Sequence, residues 1–188
     1  MYEIIWYGRG GQGVVLASQV LAEAAYIAGY KGVTAAPTFG PERRGAPLTA
    51  STRIAPEPVR TFSQIERADF AVVLDESLIE VMDITERLKP EGVIIINTPR
   101  APEDVSIEGC ARVAVVDAAN IAREQHLFVG GLPTVNTPLI GSLVFVSRIV
   151  SLEHVEKGLA KKMSDDQAYP NFAAIKIACE RTHILQER

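Results

Sequence analysis

The stretch Tyr2-Glu3-Ile4-Ile5-Trp6-Tyr7-Gly8-Arg9-Gly10-Gly11-Gln12-Gly13-Val14-Val15 decides the fold. Tyr2 to Tyr7 is an apolar run with the aromatic and β-branched bias of a strand. It passes through a glycine-rich turn into Val14 to Ala28, where Val14, Ala17, Leu21, Ala24 and Ala28 recur at helical spacing and Gly29 supplies a stop. Strand, glycine turn and helix in succession have the layout of a phosphate-binding turn. Glycine lets backbone N–H groups approach an anion, and the helix behind it offers its unpaired first-turn donors. Gly8, Arg9, Gly10, Gly11, Gln12 and Gly13 are therefore candidate ligand-binding residues. The plainer alternative is that the glycines serve only a tight turn and close packing of helix on strand.

The flanking residues narrow the ligand. Gly8, Gly10 and Gly13 fit G-x-G-x-x-G, but a dinucleotide site also asks for an acid about 20 residues further on, to hold a ribose hydroxyl. Gly32-Val33-Thr34-Ala35-Ala36-Pro37 contains none, and Glu42 comes later, in a proline-rich segment. A nucleoside-triphosphate loop needs Lys and Ser or Thr after its last glycine, where Val14 and Val15 stand.

Outward from the loop, strand-like and helix-like segments alternate. Strands are expected at Gly32–Ala36, Leu48–Ile54, Phe70–Leu74, Val93–Asn97 and Val113–Val116, and the near-continuous apolarity of Phe70–Leu74 and Val93–Asn97 suits strands covered on both faces. Helices are expected at Ser77–Leu88, Ala118–His126 and Thr137–Val150, the last with Asn136 as cap and Pro138 in its first turn. Two amphipathic stripes follow, Leu152, Val155, Leu159 and Met163, then Phe172, Ile175, Cys179 and Thr182. The pattern predicts one α/β domain over residues 1–188, a Rossmann-like open, mostly parallel sheet with helices on both faces. The apolar run Pro138 to Val146 reads as a helix buried within it, with a partner-facing helix as the alternative.

The composition is that of a folded globular chain: 188 residues, 47% apolar, 22% charged, net charge −4. That balance argues against nucleic acid or an anionic membrane as partner. The longest uncharged apolar stretch, Leu132 to Ser147, contains Pro133, Asn136 and Pro138 and is shorter than the ~20 residues of a spanning helix. Met1-Tyr2-Glu3-Ile4-Ile5 lacks the basic region of a secretion signal, which places the protein in the cytoplasm. Cys110 and Cys179 are far apart and His126, His154 and His183 scattered, so no iron–sulfur or zinc motif is read. Nor is there a G-x-S-x-G elbow or an H-E-x-x-H helix. No catalytic residue and no metal ligand is assigned.

Pro37-Thr38-Phe39-Gly40-Pro41-Glu42-Arg43-Arg44-Gly45-Ala46-Pro47 breaks the alternation. It is a stiff loop with paired guanidinium forks, and following the second strand it should reach the carboxyl edge of the sheet beside the glycine loop. Arg43 and Arg44 are candidates for bidentate contacts to phosphate or to a partner's carboxylates; the alternative is a solvated turn with Glu42 neutralising one arginine.

Gly8 to Gly13 together with Phe39 to Pro47 closely resembles the gamma subunit, or gamma domain, of the 2-oxoacid:ferredoxin oxidoreductases. Asp117-Ala118 ahead of Ile121-Ala122, and Asn136-Thr137-Pro138 with Gly141, also look like that family. The resemblance spans about the first 150 residues, and Arg43 to Pro47 is more similar to the pyruvate and branched-chain 2-oxoacid members than to the 2-oxoglutarate ones. It implies a subunit that joins alpha and beta subunits, with a ferredoxin-like delta subunit in some complexes. These convert a 2-oxoacid, coenzyme A and oxidised ferredoxin into acyl-CoA, CO₂ and reduced ferredoxin. Thiamine diphosphate, Mg²⁺ and the iron–sulfur clusters would sit on partner chains, and ferredoxin would accept the electrons. Under this resemblance the glycine loop with Arg43 and Arg44 faces the CoA diphosphate or a subunit interface, assisting CoA binding and assembly without a redox centre of its own. Two other readings of the residues stay open: a free-standing NADP- or flavin-binding oxidoreductase, its arginines meeting a 2′-phosphate, and a purely architectural module.

Overall fold

The computed structural model describes residues 1–38, 44–60, 63–105, 107 and 112–186. β1 (Tyr2–Arg9) runs into α1 (Val14–Ile27), followed by β2 (Gly32–Pro37), β3 (Pro47–Ala55), β4 (Ala68–Val73), β5 (Leu88–Asn97), β6 (Arg112–Val116) and α2 (Ala118–Glu124). A small hairpin, β7 (Phe128–Val129) and β8 (Leu132–Pro133), precedes α3 (Asn136–Ser147), α4 (Leu152–Lys162), α5 (Asp165–Arg181) and β9 (His183–Gln186). The main sheet has the order β2-β3-β1-β4-β5-β6-β9. β1, β4, β5 and β6 are parallel neighbours; β3 is antiparallel to β1 and to β2, and β9 to β6. β2 therefore points with the central four, so the expected open, mostly parallel α/β sheet is present.

The layering differs from the expectation of helices on both faces. Ile4 and Trp6 of β1, Val72 of β4 and Ile95 of β5 join one core with buried residues of α1, α2, α3, α4 and α5. Their sheet neighbours Ile5, Tyr7, Val73, Ile94 and Ile96 point the other way, where Ile65, Leu78, Ile84 and Val105 cover them from irregular segments and single 3-10 turns. All the α-helices among the described residues are thus on one face. The expected helix Ser77–Leu88 is reduced to the 3-10 turn Glu76–Leu78. Its last residue starts β5, where Leu88 pairs with Ala68 and the Arg87 carbonyl accepts the Ala68 N–H. The β-branched Val81, Ile84 and Thr85 around Asp83 weaken a helix between them.

α1 is held to the sheet by polar contacts as well as burial. The Trp6 indole Nε1–H donates to Thr52 Oγ1 at 3.1 Å, and that hydroxyl donates to the Ser18 carbonyl at 3.3 Å. α3 is an interior helix, with Leu139, Ile140 and Leu143 fully buried, which decides against the partner-facing alternative. Each such side chain contributes about 1.5–3 kcal/mol by leaving water. Gly141 lets α3 reach the backbone of α5: a Cβ there would stand 2.1 Å from the Ile175 carbonyl oxygen. Gly158 does the same for α4 against α1. Among the described residues, no helix is long and apolar enough to cross a membrane.

Candidate functional site at the carboxyl edge of the sheet

The carboxyl ends of β1, β2, β4, β5 and β6 share one edge. From β1 the sheet grows to β3 on one side and to β4 on the other, which makes β1/β4 the switch point where open α/β sheets bind ligands. The glycine loop lies there. Its glycines do different things. Gly8 is buried, and a Cβ on it would stand 2.4 Å from Val14 Cγ2, so its bareness lets α1 start directly on the strand. Gly10 extends the ladder: its N–H donates to the Ala46 carbonyl at 2.9 Å and its carbonyl accepts the Gly45 N–H at 3.0 Å. Gly11 is exposed, at φ 95. Gly13 caps α1 in the left-handed region, at φ 76 and ψ 27, which a side chain would strain.

Arg9 does not stand free as an anion receptor. Its Nε–H donates to Asp75 Oδ2 at 2.9 Å, Nη1 to the Gly45 carbonyl at 3.1 Å and Nη2 to Ser77 Oγ at 2.8 Å. The Gln12 side-chain oxygen accepts the Arg9 backbone N–H at 2.7 Å. Asp75 accepts in turn from the Ser77 N–H and hydroxyl. Burial opposes ionisation of Asp75, and it is outweighed by the hydrogen bonds from Ser77 and Arg9 and by the Arg9 charge, so the carboxyl is held below its ordinary range. This latch closes the crevice between the ends of β1 and β4.

The donors left over lie on the helix side. The N–H groups of Arg9, Gly10 and Gln12 have protein acceptors, whereas among the described residues those of Gly11, Gly13, Val14, Val15 and Leu16 have none. Arg44 is exposed beside them, its Cγ 3.8 Å from where a Cβ on Gly11 would stand and its Nη2 2.8 Å from that position on Gly130. The structure thus brings Arg44 to the glycine loop; Arg43 lies outside the described residues.

Two features here were absent from the sequence-based expectation. The β7–β8 hairpin turns through Gly130 and Gly131, both at positive φ, and exposes Phe128, Val129 and Leu132 by 49%, 65% and 63%. The signal was available: a Gly-Gly pair between short apolar runs marks a two-residue hairpin. Asn136, expected as the cap of α3, does not cap it. Val135 holds that position, and the Asn136 Nδ2 group donates to the Gly13 carbonyl at 3.0 Å, joining the starts of α3 and α1.

A second concavity, of about 510 Å³, opens beyond β5 and β6 and is lined by Thr98, Arg100, Asp117, Asn120, Arg181 and His183 among others. Arg100, Arg181 and Asp117 among its lining residues are engaged. Arg100 pairs with Glu76, Arg181 binds both carboxylate oxygens of Glu124 at 2.8 and 3.0 Å, and Asp117 caps α2 through the Asn120 N–H. Cys179 is half-buried and its thiol is pushed up by burial and then by Glu180, so it stays protonated near neutral pH. Among the described residues no cluster of His, Cys, Asp or Glu is arranged to hold a metal.

The chain matches the family described as pyruvate ferredoxin/flavodoxin oxidoreductase over residues 3–181. It is 44% identical to the pyruvate/ketoisovalerate oxidoreductases common subunit gamma of Pyrococcus abyssi, over 99% of this chain and 100% of that protein. It is 39% identical to the pyruvate synthase subunit PorC of Methanothermobacter marburgensis, over 96% and 97% of the two chains. The crystal structure of the pyruvate oxidoreductase subunit PORC from Thermotoga maritima superposes with a TM-score of 0.79 at 36% identity, covering 97% of each chain. The overall fold is thus shared along nearly the whole of this chain, which belongs to the pyruvate ferredoxin/flavodoxin oxidoreductase family.

Proposed function

We propose that this chain is the gamma subunit of a thiamine-diphosphate-dependent 2-oxoacid:ferredoxin oxidoreductase of the pyruvate/2-oxoisovalerate type. The observation that carries this reading is its end-to-end correspondence with gamma subunits of pyruvate/ketoisovalerate oxidoreductases. Its partners are the alpha and beta subunits, with a ferredoxin-like delta subunit where the complex has one. Those chains hold the thiamine diphosphate, Mg²⁺ and iron–sulfur clusters, and ferredoxin takes the electrons. This chain contributes binding and orientation for acyl transfer to CoA.

The site fits an anionic ligand in a particular way. The free N–H groups of Gly11, Gly13 and Val14–Leu16 take oxygens of the CoA diphosphate, and Arg44, with Arg43 next to it in sequence, supplies forks to the same group. Arg9 and Gln12 hold the loop's shape through Asp75. The exposed Phe128, Val129 and Leu132 favour a subunit contact beside the ligand, since obligate interfaces are apolar.

The test is steady-state kinetics of the assembled complex carrying Arg43→Ala with Arg44→Ala. Losing charge-assisted bonds worth about 1.5–3 kcal/mol should raise the KM for CoA by roughly tenfold or more, leaving the KM for the 2-oxoacid unchanged. Weakened assembly with an unchanged KM for CoA would favour the architectural reading instead.

A further inference from the structure

We infer that Asn136 is the positioning residue of the glycine loop: from the first turn of α3 its amide fixes Gly13, and with it the direction in which α1 presents its free N–H groups. The inference rests on the reading above, in which those groups receive the CoA diphosphate.

Two contacts of the same amide specify Gly13. The Asn136 Nδ2 group donates to the Gly13 carbonyl at 3.0 Å, the same oxygen that accepts the Ala17 N–H at 3.1 Å in the first bond of the helix. That carbonyl is thereby directed along the α1 axis. The amide also fills the place a side chain on Gly13 would take, with Nδ2 at 2.4 Å and Cγ at 2.9 Å from the Cβ position. One group thus both holds the left-handed conformation of Gly13 and occupies the space beside it.

The mounting is rigid. The neighbouring Thr137 hydroxyl donates to Asn171 Oδ1 of α5 at 2.6 Å, and Gly141 sits one turn further along against the backbone of the same helix. A displacement of Gly13 would therefore have to move α3 or break the amide contact.

Packing alone does not account for an amide here. Asn136 is 1% exposed, and its Oδ1 is buried with no hydrogen-bond partner. An unmet buried acceptor costs at least as much as the bond made by Nδ2 returns. An apolar side chain would avoid that imbalance but could not hold the Gly13 carbonyl. The amide makes sense where the geometry of the loop matters more than the stability of the joint.

The test uses Asn136→Ala and the near-isosteric Asn136→Asp, which replaces the donor by an acceptor, in the assembled complex. Amide hydrogen exchange is followed without CoA, and KM for CoA, KM for the 2-oxoacid and kcat are measured separately. Expected are at least tenfold faster exchange confined to the hydrogen-bonded amides of Arg9, Gly10, Gln12 and Ala17, a KM for CoA raised about tenfold, and a 2-oxoacid KM and kcat within twofold of the parent. Unchanged exchange in the loop overturns the inference, as does equal loosening of α3 and α5, which would make Asn136 an ordinary core residue. A loosened loop with an unchanged KM for CoA upholds the positioning role and removes the CoA reading on its own. Should Asn136→Ala fail to fold, Asn136→Asp keeps the volume and gives the same readouts.

Discussion

Replacing Gly141 by Ala sets two effects against each other, and the structure decides which wins. In a helix interior Ala is favoured over Gly by about 1 kcal/mol, so propensity alone predicts a more stable protein. The new methyl, however, would stand 2.1 Å from the Ile175 carbonyl oxygen, 2.9 Å from its carbonyl carbon and 3.1 Å from the Cys179 nitrogen. These are backbone atoms, which cannot swing aside as a flexible side chain would. Ordinary contact requires about 3.4–4 Å, so α3 and α5 must separate by more than an ångström, opening the packing around Leu139, Ile140 and Leu143. Overpacking of this kind costs about 1–3 kcal/mol and more where backbone must move, so the net expectation is a loss of about 2 kcal/mol. At this chain length that lowers Tm by roughly 4–8 °C. Paired urea and thermal denaturation of the full chain measures it. A Tm that stays level or rises would refute the close crossing, because propensity would then be the larger effect.

Two further predictions concern the carboxyl edge. Asp75→Asn tests the latch through pH: a depressed carboxyl contributes stability that is present above its unfolded pKa and lost as pH falls through the lower folded one. The parent should melt above the variant at pH 7, and the gap should close as the pH is taken down through about 4 towards the folded value; a gap independent of pH would count against the ion pair. Phe128→Ser with Leu132→Ser should leave the melting temperature of the chain nearly unchanged, because both side chains are already exposed, while weakening complex formation at least tenfold in sedimentation or pull-down titrations. Normal assembly would remove the hairpin from the interface.

Periodicity made β1, α1 and the amphipathic α4 and α5 legible, because each is decided by neighbours along the chain. Ser77–Leu88 misled because its apolar residues have helical spacing, yet pairing of Leu88 with Ala68 claims the end of the segment for β5. The glycine loop was recognisable as a turn. The use of Arg9 was not, since its partner Asp75 lies 66 residues away and local sequence carries no trace of that pairing. Asn136 shows the same limit: its position before an apolar helix is that of a cap, and only the packing of α3 on α1 turns its amide towards Gly13. Register, crossing and long-range polar pairing are properties of the assembled layers.

The unequal covering of the sheet has a mechanical consequence. One face is backed by interlocked helices whose glycines bring backbones into contact, and the other by turns and irregular chain around Ile65, Leu78 and Ile84. Opening free energy should be correspondingly uneven, with local excursions concentrated in the thin layer and the helical slab yielding only with global unfolding. The free N–H groups of α1 and the Asn136 joint belong to the slab. Strain delivered by a neighbouring chain through the thin layer would be absorbed there before it altered the orientation of those donors.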